Sequence, residues 1–501
     1  MNYDIYFVLQ ELIPTEVAKI KYVQDVNQDY ALRGKGVSIG IIDTGIDYLN
    51  EEFLFPNGKT KIEYIWDQNI NSSNESTEVP YGTIYTSDDI DRAIEANKKG
   101  ENPYDIVPSK DEIGHGTEMA SIISSYGYNN EVRGVVPESS LCIIKLKQDY
   151  EYKEKNNINI PVYNVKQIMD AINNVYMYIK KTLSPLVIFL PLGSNSGNHR
   201  GKGLFDEFVT KISNNKGMIV VTGTGNEGVA GTHASGTIRK EGETSSIELL
   251  VSKEQKNIKL EIWVPAPDIM TVEVISPSGE RTGEIGINLN KNTSFKYLFE
   301  KTNVNISYDI PEEYSGDELI IIEFTDIQEG TWTFNLTGKL ITIGEFNAWI
   351  PVSGITKEGT RFRQSDPFGT ITIPGDVVSV LTIAAYNQLN YNILDYSGRS
   401  FRNDNYYPIS VAAGGVNAPA VSIDNKVKKV SGTSVSSAIA AGVCAMLLEW
   451  GIINGNFPDM YAESIITFIV KGAQQRKGDI YPNPLWGYGL LDVYGIFLNM
   501  T

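Results

Sequence analysis

Three short stretches hold side chains that together can break a covalent bond: Asp43 in "IIDTGID", His115 in "GHGTEMA" and Ser434 in "SGTSVSSAIAAG". A serine hydroxyl is a weak nucleophile near neutral pH, so it needs a base within hydrogen-bond reach and an acid to orient that base. The chain has only three histidines, His115, His199 and His233. Glycines on both sides leave the His115 ring unobstructed where a helix starts, and Asp43 closes what reads as a strand. Asp, His, Ser is one of the chain orders in which this triad occurs. A fourth residue, Asn226 in "VTGTGNEG", follows a buried strand. Its side-chain amide can donate to the oxyanion formed when a serine attacks a carbonyl, with the Ser434 backbone amide as second donor. The helix start at Ser434 adds a positive dipole end at the same spot.

Each piece has a plainer reading. Ser434 can be an N-cap, and a histidine before a helix is more often structural. "DTG" alone suggests half of an aspartic-protease site, which needs two carboxylates, whereas this chain has one copy. It is the conjunction, in the right order on the right elements, that favours acyl transfer. His199 and His233 read as loop or polar surface residues. Asp47 and Glu52 read as a solvated acidic loop, and "TSDDIDRAIEANKKGENPYD" as a charged, solvated helix and loop.

The elements that must position these side chains alternate. "GVSIGIIDTG", "LCIIKLK", "LVIFLPLG" and "MIVVTGTGNEG" read as short buried strands. They are separated by helical stretches such as "GTEMASIISSYG" and "VKQIMDAINNVYMYIKK". This pattern predicts parallel βαβ units in an α/β, doubly wound sheet, whose sites form at the carboxyl ends of the strands. From 232 to 351 the texture changes to strands bounded by turns, with Ile258, Leu260, Ile262 and Val264 on one face, which predicts an inserted antiparallel sandwich or jelly roll. The expected organisation is an N-terminal extension over 1–35, an α/β domain over 36–231, the insert over 232–351, and the rest of the α/β domain over 352–501.

Composition bounds the function. With 61 acidic against 43 basic residues the net charge is −18, which disfavours a nucleic-acid or anionic-membrane partner. Cys142 and Cys444 sit among apolar neighbours and read as buried thiols rather than a disulfide. "MNYDIYFVLQ" lacks the basic start of a secretory signal. No apolar run approaches the roughly 18 residues of a membrane span. No EF-hand spacing or Cys/His cluster calls for a metal, and no cofactor is expected.

"GIIDTGID", "GHGTEMA", "GTGNEG" and "SGTSVSSAIAAG" resemble the Asp, His, oxyanion-Asn and Ser motifs of the subtilisin-like serine proteases, and "RGVVPESSLCIIKL" and "WGYGLLDV" resemble that family's framework segments. Three positions depart from the pattern: Pro191 in "PLG", Ala438 in the helix after the nucleophile, and "AGGV" at 413–416. Asn226 and Ser434 lie 208 positions apart. That spacing and "PLGSNSGNHRG" resemble the Csp proteases of clostridial spores, which carry a jelly-roll insertion. The resemblance implies that Asp43 orients His115, that His115 takes the Ser434 proton and that Asn226 stabilises the oxyanion. It also implies that Gly193 pairs with substrate backbone. It further implies a serine endopeptidase whose partner is a protein zymogen, a cortex-lytic hydrolase, together with other Csp-like proteins, located in the spore. Subtilases generally carry a folded propeptide, and the 1–35 extension reads as too short for one, leaving as alternatives a remnant after processing, a helper supplied separately, or a helper that is dispensable. The competing reading is a catalytically silent subunit acting in germinant signalling. Members of that kind usually lack a triad residue, and here all three are present.

Overall fold

The computed structural model describes residues 12–25, 30–71, 79–287, 292–402 and 407–500. Six strands build the first part of the main sheet: β1 (Ser38–Asp43), β2 (Ile62–Asp67), β3 (Thr83–Thr86), β4 (Ser140–Lys145), β5 (Leu186–Phe189) and β6 (Met218–Gly223). Along β1 alternate side chains enter different layers. Ile39 and Ile41 join the core beneath the helices His115–Ser124 and Thr433–Leu448. Ile42 joins the core beneath the helices Val165–Thr182 and Leu204–Ser213. Both faces are therefore covered, and this is why β1, β5 and β6 read as unbroken apolar runs.

Ten strands then leave this sheet: β7 (His233–Thr237), β8 (Thr244–Val251), β9 (Asn257–Val264), β10 (Ile269–Ile275), β11 (Thr293–Lys296), β12 (Asn303–Asp309), β13 (Glu318–Thr325), β14 (Gly330–Leu340), β15 (Glu345–Trp349) and β16 (Arg361–Phe362). They form a six-stranded sheet, β11-β12-β13-β9-β15-β7, facing a four-stranded one, β10-β14-β8-β16. Trp332, Phe334, Phe346, Leu260 and Ile262 pack between the two. Strand β16 pairs with β8, so the second sheet continues past residue 351. The chain returns to the main sheet with β17 (Val380–Asn387), β18 (Asn392–Ile393) and β19 (Ile409–Gly414), giving the order β18-β17-β6-β5-β1-β4-β2-β3 with β19 also on β17. The pairs β17–β6, β6–β5, β5–β1, β1–β4 and β4–β2 are parallel. The α/β class with an inserted antiparallel module is thus observed.

Three sequence expectations need correction. The helix from Thr433 runs 21 residues to Ile453, long and apolar enough by composition to cross a membrane, yet 83% of its apolar window is buried inside the protein. Serines hide the run in the sequence: the Ser436 hydroxyl donates to Ala413 O at 3.0 Å and the Ser437 hydroxyl to Thr433 O at 2.9 Å. Bonded in this way, they sit in an apolar core at little cost. Glu52 is buried rather than solvated; its carboxylate accepts from the amides of Gly127 (2.6 Å) and Asn129 (2.7 Å). The helix Ser87–Lys98 is not solvated all round, because Ile90, Ala93 and Ile94 face the core. Cys142 and Cys444 are free and buried.

One close approach sets the geometry of the His115 helix. A Cβ at Gly116 would lie 2.2 Å from the carbonyl oxygen of Gly45, so that helix rests on the turn that follows β1. Gly116→Ala must push the two apart. It should destabilise the fold by about 1–3 kcal/mol, the usual cost of overpacking, as read from the urea midpoint, and an unchanged midpoint would show that the contact is slack.

Candidate active site

Asp43 ends β1, and its carboxylate is buried with the Thr44 amide donating to Oδ1 at 2.6 Å. His115, the first residue of its helix, places Nδ1 2.9 and 2.8 Å from the two Asp43 oxygens. With Nδ1 donating there, Nε2 is the nitrogen left to exchange a proton. The turn before His115 is held by a residue that the motifs did not single out. Asp111 accepts from the amides of Gly114 (2.8 Å) and Thr117 (3.0 Å) and from the hydroxyls of Thr44 (2.8 Å) and Thr117 (2.7 Å). The Thr44 hydroxyl in turn accepts from the Gly116 amide at 2.9 Å. The cap position itself is Gly114, so no local capping signal marks Asp111, and its bond to Thr44 spans 67 residues of chain.

Ser434 is the second residue of its helix, after Gly432, whose φ of +148° suits a residue without a side chain. That helix packs directly on the His115 helix. Ser434 lines a cavity of about 330 Å³ together with Asn226, Gly193, Pro191, Thr372 and Ser353. The Thr433 hydroxyl donates to Asn226 Oδ1 at 3.1 Å, so the amide NH₂ is the end of Asn226 left over as a donor. The structure therefore joins Asp43 to His115 in one hydrogen-bonded pair, and it gathers Ser434, Asn226 and Gly193 around one cavity.

Two further cavity residues carry no local signature. A Cβ on Gly193 would meet Thr372 Oγ1 at 2.1 Å, and one on Gly225 would meet it at 2.5 Å. Thr372 thus wedges between the two walls, and each wall must be glycine where it touches. Glu227 accepts from the Thr232 hydroxyl at 2.9 Å and from the Ser353 amide at 3.1 Å. Burial raises its carboxyl above the ordinary value, against those hydrogen bonds.

The expectation of surface positions for His199 and His233 is overturned: both are buried, 3% and 1% exposed. Their rings lie nearly parallel to the Trp349 indole, with centroids 4.2 and 4.7 Å away. Local polarity misled: His233 is the first residue of β7, a strand of the insert's six-stranded sheet, and Trp349 of the same sheet stacks on His199 in its loop.

A model of the subtilase family matches residues 34–281 and 363–489. The chain belongs to the subtilase family. Membership puts it in the class of serine-type endopeptidases. The PIII-type proteinase of Lactococcus lactis subsp. cremoris is 22% identical over 87% of this chain and 23% of its own length. The C5a peptidase of Streptococcus pyogenes serotype M1 is 20% identical over 86% of this chain and 36% of its own length. The chain thus spans roughly a quarter to a third of the curated relatives it matches. The structure of the Clostridium perfringens CspB protease superposes with a TM-score of 0.84 at 28% identity, covering 96% of both chains.

Electrostatics at this subtilase site give two predictions. Burial draws the His115 imidazole down, but the adjacent Asp43, through charge and hydrogen bond, then Glu118 and Asp111, outweigh it and raise it from 6.5 to about 9. The side chain keeps 36% of its surface exposed, so solvent softens that shift. A base works when deprotonated. Hence kcat/KM should climb as pH rises from about 6.5 towards 9, and a pH–rate profile already flat at pH 6.5 would contradict the Asp43–His115 coupling.

His233 moves the opposite way. Burial lowers it from 6.5 to about 4 despite Asp366 and Asn347. The unfolded chain then binds the extra proton first, so stability present above pH 6.5 is lost as pH falls towards 4, by about 3 kcal/mol. Denaturant titrations at pH 7 and pH 4.5 should show this loss in the wild type and a smaller one in His233→Gln.

Proposed function

We propose that this chain is a processing endopeptidase that cuts a protein zymogen, a cortex-lytic hydrolase, during spore germination. Ser434 attacks the scissile carbonyl while His115 Nε2 takes its proton and Asp43 holds the imidazole in the matching tautomer. The tetrahedral oxyanion is met by the Asn226 NH₂ and the Ser434 amide at a helix start. His115 then returns the proton to the leaving amine, and water hydrolyses the acyl-enzyme by the same route. Gly193 presents backbone to the substrate, which adds as a strand beside 191–193. Pro191 lacks an amide donor, a loss that an edge position tolerates.

The observations that carry the chemistry are the Asp43–His115 pair at 2.8 Å, the packing of the His115 helix on the helix that bears Ser434, and the cavity shared by Ser434 and Asn226. The narrower role is supported by the likeness to the CspB protease, which extends over 96% of both chains and therefore includes the insert.

A fluorophosphonate probe should label the wild type and not Ser434→Ala. The substitution should lower kcat by about 10⁶, as removal of the equivalent nucleophile does in subtilisin. Asn226→Ala should cost about 10² to 10³ in kcat, again by the subtilisin precedent. For the biological role, the purified protein is incubated with a cortex-lytic zymogen and the products are read by mass spectrometry. A single cleavage that Ser434→Ala abolishes is expected. A zymogen left intact by a probe-reactive enzyme would refute the processing role while leaving the chemistry standing, and a well-folded wild type that ignores the probe would refute the chemistry.

A further inference from the structure

The cavity beside Ser434 has two walls, 191–193 and 223–227, separated by Thr372. What holds Thr372 there is visible on either side of it. The segment Ile371–Ile373 is tied to the loop that follows the first wall. Ile373 N donates to Ser194 O at 2.9 Å, Ser194 N donates to Ile373 O at 3.3 Å, and His199 Nδ1 lies 2.6 Å from Ile371 O. His199 Nε2 lies 3.1 Å from Asn195 O, and the Asn195 side-chain NH₂ donates to Ile350 O at 3.0 Å.

Carbonyl oxygens only accept, so the ring is held by the nitrogen that donates; Nδ1 makes the shorter contact, 2.6 Å to Ile371 O, and ties the ring to that segment. The His199 backbone sits at φ +54°, a left-handed conformation that a non-glycine residue keeps only where its surroundings over-determine it. The stacking partner, Trp349, comes from the last strand of the insert's six-stranded sheet. Its indole N–H donates to Gly369 O at 2.9 Å, two residues before Ile371. The insert also reaches the same loop through Glu261, which accepts from Gly197 N at 2.9 Å.

We propose that His199 is a positioning residue: by donating from Nδ1 to the Ile371 carbonyl while stacked on Trp349, it fixes Ile371 and hence the Thr372 wedge, so that the inserted module sets the width of the pocket for the substrate side chain on the acyl side of the cut. The inference rests on the serine-endopeptidase reading of Ser434. It assigns the insert a part in specificity, beyond its place as a separate sandwich. Losing the hydrogen bond to Ile371 O lets the wedge shift relative to Gly193 and Gly225, and the substrate side chain then meets a wider and less defined slot. The oxyanion donors and the Asp43–His115 pair touch none of these bonds.

The test compares the full-length wild type and His199→Phe, which keeps a ring on Trp349 and removes the ring N–H donor. Both are assayed on a panel of fluorogenic tetrapeptides varied at the residue preceding the cut, and both are labelled with a fluorophosphonate. The expected result is that Ser434 of the variant still labels, while KM for the preferred peptide rises about ten-fold with a smaller change in kcat, and the preference among peptides flattens. Retention of the wild-type preference and KM by His199→Phe would overturn the proposal. Should His199→Phe fail to fold, Thr372→Ser, which removes only the wedge methyl, is put through the same peptide panel and should flatten the preference. In the wild type, ¹⁵N-histidine spectra should show His199 Nδ1 carrying a proton, and a ring protonated at Nε2 alone would overturn the proposal by itself. A wild type that does not label at all removes the reading underneath, which is a different failure from an unchanged peptide preference.

Discussion

A carboxylate at the end of a buried strand is the constraint around which this molecule is organised. Asp43 is 1% exposed, and a charge in such a place is costly unless donors surround it. Its donors are the next residue's amide and the His115 ring. The ring can be there only if the helix behind it lies on the turn after β1, which the bare Gly116 permits. The helix start in turn is held by Asp111 through amides and hydroxyls. The whole arrangement thus follows from satisfying two buried carboxylates at the carboxyl end of β1, and the orientation of the imidazole is a by-product of that satisfaction.

The second organising feature is the outer face of the insert's six-stranded sheet. In β9, Ile258, Leu260, Ile262 and Val264 point into the sandwich core, as alternation requires. The residues between them should then be wet, yet Glu261 and Trp263 are buried too. Trp263 packs with Trp349, Leu319 and Phe401, and Glu261 bonds the loop after the 191–193 wall of the cavity. A sheet with both faces covered is not an appendage. The module and the cavity share a wall, and the side chains that join them, His199, His233 and Trp349, are aromatic and hydrogen-bonded at once. Such groups resist small displacements better than apolar contacts alone, because shifting any one leaves a buried donor without its acceptor.

Much of this was legible before any coordinates. Runs such as "IGIID" and "MIVVTG" announce strands covered on both faces, and the alternation in "NIKLEIWV" announces a sandwich. The four motifs named the chemistry, since the small residues around Ser434 and the glycines around His115 have local reasons to be there. What failed did so for one kind of reason. His199, His233 and Glu52 sit in polar, glycine-rich stretches that look solvated, and each is buried because something distant in sequence covers it. The long helix from Thr433 was under-read because its serines break the apolar run, although their hydroxyls bond carbonyls inside the core.

The sequence by itself determined the periodic elements, the order of acid, imidazole and hydroxyl, and so the family and its class of reaction. These are properties of a residue and its neighbours within a turn or two, where sterics and hydrogen bonding act locally. Only the tertiary structure decided that residues 199, 233, 349 and 371 meet, and that Thr372 separates Gly193 from Gly225. Those contacts arise when two separately patterned sheets dock. The energy of docking lies in shape and in buried donors finding acceptors across a hundred or more residues of chain, and no local periodicity records it.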